Sequence, residues 1–127
     1  MTAQLNHNPS FVAIVDDDDL MRGALRGLLK EAGFTARTFT SAEEFLNAAE
    51  RAQAACLIAD VRMPDMSGLD LQARLTAERT RIPIIFITAH GNAGMRMQAL
   101  RSGAVEFLAK PFDDEILLES VRAALER

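Results

Sequence analysis

A short apolar run that ends on an aspartate most constrains what this chain can fold into. The run CLIAD covers residues 56–60, and a loop that contains Pro64 and Gly68 follows it. Apolar residues in direct succession are typical of a strand that is buried on both faces of a parallel sheet. Because open α/β sheets bind their ligands beyond the carboxyl ends of the strands, Asp60 is the first candidate for chemistry.

Segments with strand and helix patterns alternate five times along the chain. Apolar or β-branched residues are concentrated in five segments, which predict strands at 11–15, 35–39, 56–60, 84–88 and 105–109. Apolar residues recur at helical spacing in five others, which predict helices at 20–32, 41–53, 69–78, 91–102 and 113–125. Ser41 and Glu44 have the spacing of a capping box for the second helix. The alternation predicts an α/β fold in which one doubly wound, five-stranded parallel sheet carries helices on both faces.

The composition predicts one domain with its own hydrophobic core. The chain has 127 residues, of which 49% are hydrophobic, and we expect residues 10–127 to form the domain and the polar residues 1–9 to be a disordered leader. A net charge of −4 argues against a nucleic-acid-binding surface, which requires clustered lysine and arginine. No apolar run approaches the roughly 20 residues of a membrane span. The lone Cys56 and a start without a signal-peptide pattern predict a cytoplasmic protein.

Polar side chains follow four of the five predicted strands. Asp16 and Asp17 come after the first strand, and Asp60 ends the third. Thr88 ends the fourth strand, and Lys110 follows the fifth. If the strand order is 2-1-3-4-5, the first and third strands are neighbours, and their three carboxylates crowd one crevice. Such crowding is unfavourable unless a positive charge lies among the oxygens, and oxygen ligands favour Mg²⁺ over zinc or copper.

These groups suit the transfer of a phosphoryl group, because catalysis of that reaction is mostly positioning and charge neutralisation. Asp60 is the candidate nucleophile and would form an aspartyl phosphate. Thr88 and Lys110 are candidates to bind two of the phosphoryl oxygens. The added negative charge would pull Thr88 and the glycine-containing segment behind it inward, which predicts a two-state switch.

Four segments of the chain carry motifs of a known family. They are IVDD at 14–17, DVRMPDMSG at 60–68, ITAHG at 87–91 and the stretch at 103–112. With these segments the chain resembles a response-regulator receiver domain of the CheY-like type, from residue 11 to residue 125. It is most similar to FixJ-type regulators, which usually join a receiver to a helix-turn-helix DNA-binding domain. The resemblance implies a flavodoxin- or CheY-like sheet in the order 2-1-3-4-5.

The resemblance implies a role for each residue of the acidic crevice. Asp60 is implied to accept a phosphoryl group from a sensor histidine kinase. Asp17 is implied to bind Mg²⁺ directly, with Mn²⁺ as a substitute, and Asp16 to act through a water molecule. Asp60 itself and the backbone carbonyl of Arg62 complete the implied set of metal ligands.

The resemblance also implies a switch and its partners. Thr88 and Lys110 would bind the phosphoryl group, Phe107 would change rotamer together with Thr88, and the Lys110–Pro111 peptide would be cis. The fourth helix, fifth strand and fifth helix would form a homodimer or output face. The chain would then be a signalling domain that catalyses its own phosphorylation and dephosphorylation, not a metabolic enzyme. It would be either a single-domain regulator or the receiver of a longer one with a DNA-binding output domain.

Other functions fit parts of the pattern. A haloacid-dehalogenase-like phosphatase needs a second aspartate two residues after the nucleophile, where this chain has Arg62. A flavodoxin-like cofactor binder would need stacking aromatics, and the chain has no Trp and no Tyr. A receiver-like module that binds partners without being phosphorylated stays open. Taken singly, residues 16–19 could be only a solvated helix cap, Asp60 a turn former and Lys110 a surface lysine.

Overall fold

The computed structural model describes residues 10–126, so the predicted disordered leader at 1–9 lies outside the described residues. Strands and helices alternate as the sequence predicts, with one additional short 3₁₀ helix at Ala49–Gln53. The strands are β1 (Phe11–Val15), β2 (Ala36–Phe39), β3 (Ala54–Asp60), β4 (Ile84–Thr88) and β5 (Glu106–Ala109). The α-helices are α1 (Asp19–Glu31), α2 (Ala42–Asn47), α3 (Gly68–Ala77), α4 (Ala93–Arg101) and α5 (Asp114–Leu125).

The five strands form one parallel sheet in the order β2-β1-β3-β4-β5, which confirms the predicted topology. Val15 at the end of β1 is in register with Ala59, one residue before the end of β3. Thr88 at the end of β4 is in register with Ala109 at the end of β5. The carboxyl ends of these four strands therefore meet at one edge of the sheet, as a doubly wound fold requires.

Each face of the sheet carries its own hydrophobic cluster. Alternate residues of β3 belong to different clusters because successive side chains of a strand point to opposite faces. Leu57 packs in the cluster that contains Phe45 of α2 and Leu71 of α3. Ile58 packs in the cluster that contains Leu25 of α1. The central strands are buried on both faces, which explains their uninterrupted apolar sequences.

The second helix is shorter than predicted. We expected it to run to Gln53, but α2 ends at Asn47, because Ala48 adopts an extended conformation (φ −74°, ψ 132°) before the 3₁₀ helix. The capping box is also incomplete. Ser41 accepts a hydrogen bond from the Glu44 amide, but the Glu44 carboxylate turns to the Thr40 amide. No proline or glycine marks the break, so apolar spacing extended the predicted helix too far.

No helix among residues 10–126 is both long enough and apolar enough to cross a membrane.

Candidate functional site

Asp60 ends β3 in a buried position at the carboxyl edge of the sheet. One oxygen, Oδ1, accepts a hydrogen bond from the Arg62 backbone amide at 2.9 Å, which fixes the orientation of the carboxylate. The other oxygen, Oδ2, lies 2.8 Å from Nζ of Lys110. Because this hydrogen bond joins residues only two positions apart, the local turn after β3 holds the Asp60 carboxylate in place at the edge of the sheet.

Asp16 follows β1 and is only 1% exposed. Its Oδ1 accepts a hydrogen bond from the Asp18 amide at 2.9 Å, and its Oδ2 lies 3.3 Å from Nζ of Lys110. Asp18 caps α1 by accepting hydrogen bonds from two amides, and Asp19 lies in the first turn of that helix. Asp18 and Asp19 therefore stabilise the start of α1, as their type and place predict, and Asp16 is left facing the crevice.

Lys110 joins the two buried carboxylates across strands that are far apart in sequence. Burial raises the pKa of Asp16 because it disfavours the charged form more than Lys110 and the Asp18 amide favour it. Burial alone would lower the pKa of Lys110, but its hydrogen bond to Asp60 and the charges of both aspartates outweigh burial and raise that pKa. The lysine is therefore a fixed positive charge at neutral pH.

Asp16, Asp17 and Asp60 bring carboxylate oxygens within 4.8 Å of one another. Asp17 is exposed and the other two are buried, so this cluster opens to solvent on one side. A single ammonium group cannot balance three carboxylates, and the donors are all hard oxygens. These residues fit a divalent cation of the Mg²⁺ type, which prefers oxygen ligands and retains waters on its open side. The contact seen from Arg62 to Asp60 is made by its amide, so a role for its carbonyl stays a prediction.

Thr88 lies at the end of β4 and is buried. Its hydroxyl oxygen accepts a hydrogen bond from the His90 amide at 3.3 Å, and its carbonyl accepts one from the Lys110 amide at 2.9 Å. The second bond continues the β4–β5 ladder and holds the backbones of Thr88 and Lys110 together. The Lys110–Pro111 peptide is cis, which confirms the expectation from the resemblance.

Phe107 in β5 is also buried, and its ring lies 6.2 Å from that of Phe86. The chain thus brings Thr88 and Phe107, the residues named as a switch, to neighbouring strands on the same side of the molecule.

Two glycines contact the site, and the pattern of polar residues gave no reason to choose them. A Cβ atom on Gly68 would lie 2.4 Å from the Asp60 carbonyl oxygen, and one on Gly91 would lie 2.7 Å from Cγ2 of Thr88. Both glycines are within the motif segments quoted above. Their sequence signal was therefore present, but only the structure shows what they contact.

The comparisons with known proteins agree with one another. A family model described as the response regulator receiver domain matches residues 12–122. The response regulator protein TodT of Pseudomonas putida is 46% identical over 121 residues, which are 95% of this chain and 53% of TodT. The transcriptional regulatory protein FixJ of Azorhizobium caulinodans is 40% identical over 116 residues, 91% of this chain and 55% of FixJ. The crystal structure of FixJ-N matches with a TM-score of 0.83 at 38% identity, covering 95% of this chain and 97% of that one.

This chain spans about half the length of the curated relatives that it matches. The matched region includes every residue of the acidic cluster as well as Thr88, Phe107 and Lys110. A receiver fold, an acidic cluster at the carboxyl edge of the sheet and a family match over this whole region agree on one assignment. The chain belongs to the family of response regulator receiver domains and is similar to FixJ and to the FixJ-N structure.

Proposed function

We propose that Asp60 accepts a phosphoryl group from a phosphohistidine of a sensor histidine kinase. The observation that carries this proposal is the position of Asp60 between the Lys110 ammonium group, at 2.8 Å, and the acidic pair Asp16 and Asp17. An aspartate that served only to end a strand would not need a partly buried lysine and two further carboxylates around it. We propose the whole of residues 10–127 as the receiver domain.

In the proposed reaction, a carboxylate oxygen of Asp60 attacks the phosphorus atom and forms a new P–O bond. The P–N bond to the donor histidine breaks and its electron pair stays on the ring nitrogen, which gives neutral imidazole if the other ring nitrogen carries a proton, or an imidazolate that takes a proton from solvent. Lys110 then pairs with a phosphoryl oxygen in place of the free carboxylate. The Thr88 hydroxyl uses its proton to bond a second oxygen while still accepting from the His90 amide.

Asp16, Asp17, Asp60 and the Arg62 carbonyl would hold Mg²⁺, for which Mn²⁺ could substitute. When bound, the cation supplies positive charge that neutralises the phosphoryl oxygens in the transition state. The three carboxylates and the single lysine leave an excess of negative charge, so the free site attracts such a cation before any phosphoryl group arrives.

The domain would catalyse its own phosphorylation and its own slow dephosphorylation without acting on a separate metabolic substrate. A water molecule attacks phosphorus in the second step, the P–O bond to Asp60 breaks, and inorganic phosphate leaves. We therefore describe the chain as a signalling switch and not as an enzyme in the metabolic sense. Its place would be the cytoplasm, where Cys56 stays reduced.

Phosphorylation would change the rotamers of Thr88 and Phe107 and alter the surface formed by α4, β5 and α5. Three large apolar side chains are exposed on α4 and α5: Met97 is 53% exposed, Ile116 46% and Leu125 38%. We propose that a second copy of the domain covers this surface after phosphorylation. TodT is named a response regulator and FixJ a transcriptional regulatory protein. A DNA-binding output domain attached to this receiver would be consistent with those relatives, while the receiver itself would not contact nucleic acid.

The test is intact-mass spectrometry after incubation with acetyl phosphate, with and without Mg²⁺. Wild type should gain one phosphoryl group only when Mg²⁺ or Mn²⁺ is present, and Asp60→Asn should gain none. Asp65→Asn is a matched control, because Asp65 is an exposed aspartate of the following loop whose positive φ of 68° asparagine tolerates. A wild-type protein that binds Mg²⁺ but gains no phosphoryl group would refute the proposal in favour of an unphosphorylated interaction module.

A further inference from the structure

A cleft lies at the amino edge of the sheet, at the opposite end of the strands from the acidic cluster. It has a volume of about 870 Å³ and lies between the ends of α3 and α4 and the start of β4. Its floor is apolar and includes the buried Leu75 and Ile84 and the half-buried Ile82. Its rim carries the exposed Arg79 and Arg81. A concave site of this size, with an apolar floor and a few polar groups, is typical of small-ligand binding.

The polar groups that line this cleft are basic or neutral. Besides the two arginines they include the hydroxyl groups of Thr76, Thr80 and Ser102, which can donate hydrogen bonds. Gln72, which is only 4% exposed, adds an amide group. Within residues 10–126 no aspartate or glutamate lines the cleft, although the net charge of the chain is −4. The charge of the cleft is therefore opposite to that of the protein as a whole and favours an anionic ligand.

A second cavity adjoins the cleft and is lined by a buried donor without a partner. It has a volume of about 340 Å³, and four residues line both spaces: Leu75, Thr80, Arg81 and Ile82. Arg51 also lines the second cavity, and its Nη2 bonds to Glu78 at 2.9 Å. Its Nη1 is buried and has no hydrogen-bond partner among residues 10–126. Because buried donors are rarely left unpaired in proteins, this nitrogen calls for an acceptor from solvent or from a ligand.

Arg79 occupies a position where the backbone itself favours glycine. Helices α1 and α4 are each followed, one residue after the C-cap, by a glycine with positive φ, Gly33 at 95° and Gly103 at 102°. Arg79 takes the same place after α3 with a φ of 60°. This left-handed conformation is unfavourable for a residue with a Cβ atom. The chain thus keeps a guanidinium group at the cleft where glycine would suit the backbone better, and such positions are concentrated at functional sites.

Arginines near the end of a helix can also serve only to stabilise its carbonyl groups. Here those carbonyls already have partners in the backbone. The Thr76 carbonyl accepts a hydrogen bond from the Arg79 amide at 3.0 Å, and the Leu75 carbonyl accepts one from the Thr80 amide at 2.9 Å. The neighbouring Glu78 bonds to two other arginines. The guanidinium groups on the rim are therefore not needed to complete the end of α3.

We propose that this cleft binds a small amphipathic carboxylate. Arg79 and Arg81 pair with the carboxylate group, because a planar guanidinium group matches it with two parallel hydrogen bonds. The apolar body of the ligand packs on Leu75, Ile82 and Ile84. The cleft and the acidic cluster lie at opposite edges of the sheet, and the inference does not rest on the proposed phosphorylation.

The test is a titration of the isotope-labelled protein with octanoate, followed by nuclear magnetic resonance. The amide resonances of Leu75, Ile82 and Gly103 should shift and saturate as octanoate is added. Octanamide, which lacks the charge, and inorganic phosphate, which lacks the apolar body, should each bind at least about tenfold more weakly. Either compound binding as tightly as octanoate would overturn the inference, as would the absence of a saturable shift with octanoate.

Two variants and a matched control test the arginines. Arg79→Gly and Arg81→Gln should each weaken octanoate binding by about tenfold, the effect of losing one charge-assisted hydrogen bond. Glycine suits the left-handed backbone at residue 79, so the melting temperature of Arg79→Gly should be close to or above that of wild type, and its weaker binding cannot be a result of unfolding. Arg26→Gln removes the same charge from an exposed position on α1 and should bind octanoate like wild type. An Arg79→Gly or Arg81→Gln protein that binds octanoate as tightly as Arg26→Gln does would overturn the inference.

Discussion

Gly68→Ala tests how closely the start of α3 must approach β3, the strand that ends at the proposed phosphoacceptor Asp60. The added Cβ would lie 2.4 Å from the Asp60 carbonyl oxygen, 3.1 Å from its carbonyl carbon and 3.1 Å from Cε1 of Phe86. The closest obstacle is backbone in the middle of the sheet, where Asp60 is in register with Ile87. The Gly68 amide also donates to the Val61 carbonyl at 2.9 Å, so the loop cannot simply swing away.

The expected loss of stability follows from that geometry. The separation from the carbonyl oxygen has to grow from 2.4 Å to at least 3.0 Å, and rigid backbone on one side forces the movement onto α3 and its loop. Overpacking of this kind costs about 1–3 kcal/mol, and an obstacle made of backbone favours the upper end. Alanine also restricts the unfolded chain more than glycine does, which raises the free energy of unfolding by about 0.4–1 kcal/mol. The free energy of unfolding should therefore fall by about 2 kcal/mol, and the melting temperature by about 6–10 °C for a chain of this length.

Urea and thermal unfolding followed by circular dichroism measure both quantities. Gly27→Ala is the control, because it makes the same chemical change in open space on α1 and should raise the free energy of unfolding by about 0.5–1 kcal/mol. Gly68→Ala should also slow phosphorylation by acetyl phosphate, since its shift is passed to Asp60. A Gly68→Ala protein within about 0.5 kcal/mol of wild type would refute the reasoning, because that range is typical of substitutions that meet no obstacle.

Two further predictions concern buried titratable groups. Asp16→Asn should raise the melting temperature in metal-free buffer, because it removes a buried carboxylate whose pKa is raised by burial. It should also weaken Mg²⁺ binding by at least about tenfold, because Asp16 is a proposed ligand. Calorimetry with and without Mg²⁺ measures both effects, and an unchanged Mg²⁺ affinity would contradict the ligand role. Burial raises the pKa of the Cys56 thiol to about 12, so the thiol should not react with Ellman's reagent at pH 8 until the protein unfolds. The free energy of unfolding should fall as pH rises from about 9 toward 12, because the thiol then ionises in the unfolded chain before it ionises in the folded protein. Rapid labelling of the native protein at pH 8 would show that Cys56 is not buried.

The sheet and the positions of most site residues could be predicted from the sequence, because both follow from short local patterns. The strand order then brings the ends of those segments together at one edge of the sheet. Apolar runs identified the strands, and the rule that ligands bind at their carboxyl ends selected Asp16, Asp60 and Lys110 without any contact being known. The structure brings those three together through the Lys110 ammonium group, as the strand order required. The individual roles of Asp17, Arg62, Thr88 and Phe107 stay predictions that biochemistry has to test.

Features that depend on tertiary contact could not be predicted in this way. The end of α2 at Asn47 has no sequence marker, because the packing of Ala48 against the core decides it. Gln72 would be an exposed polar residue by its type, yet it is buried and bonded to the Ala99 carbonyl of a helix 27 residues later. No pattern in the sequence around Gln72 or Ala99 indicates that the two residues lie next to each other in the fold, so this hydrogen bond could not be predicted.

The charge of the site explains why stability and function oppose each other there. Two of the three clustered carboxylates, Asp16 and Asp60, bond to the Lys110 ammonium group, and the nearby Arg22 already bonds to Asp19 and to the Asp16 carbonyl. A free site of this kind is strained by repulsion, so removing a carboxylate or adding a cation should each stabilise the fold. Phosphorylation of Asp60 would replace a carboxylate of charge −1 with an acyl phosphate of charge up to −2, so the site would gain up to about one further negative charge. In the proposed mechanism Lys110 pairs with one phosphoryl oxygen, and the Thr88 hydroxyl donates to another. The proposed movement of Thr88 would thus be driven by the attraction between its hydroxyl group and the phosphoryl oxygens, at a site where excess negative charge already lowers the stability of the free fold.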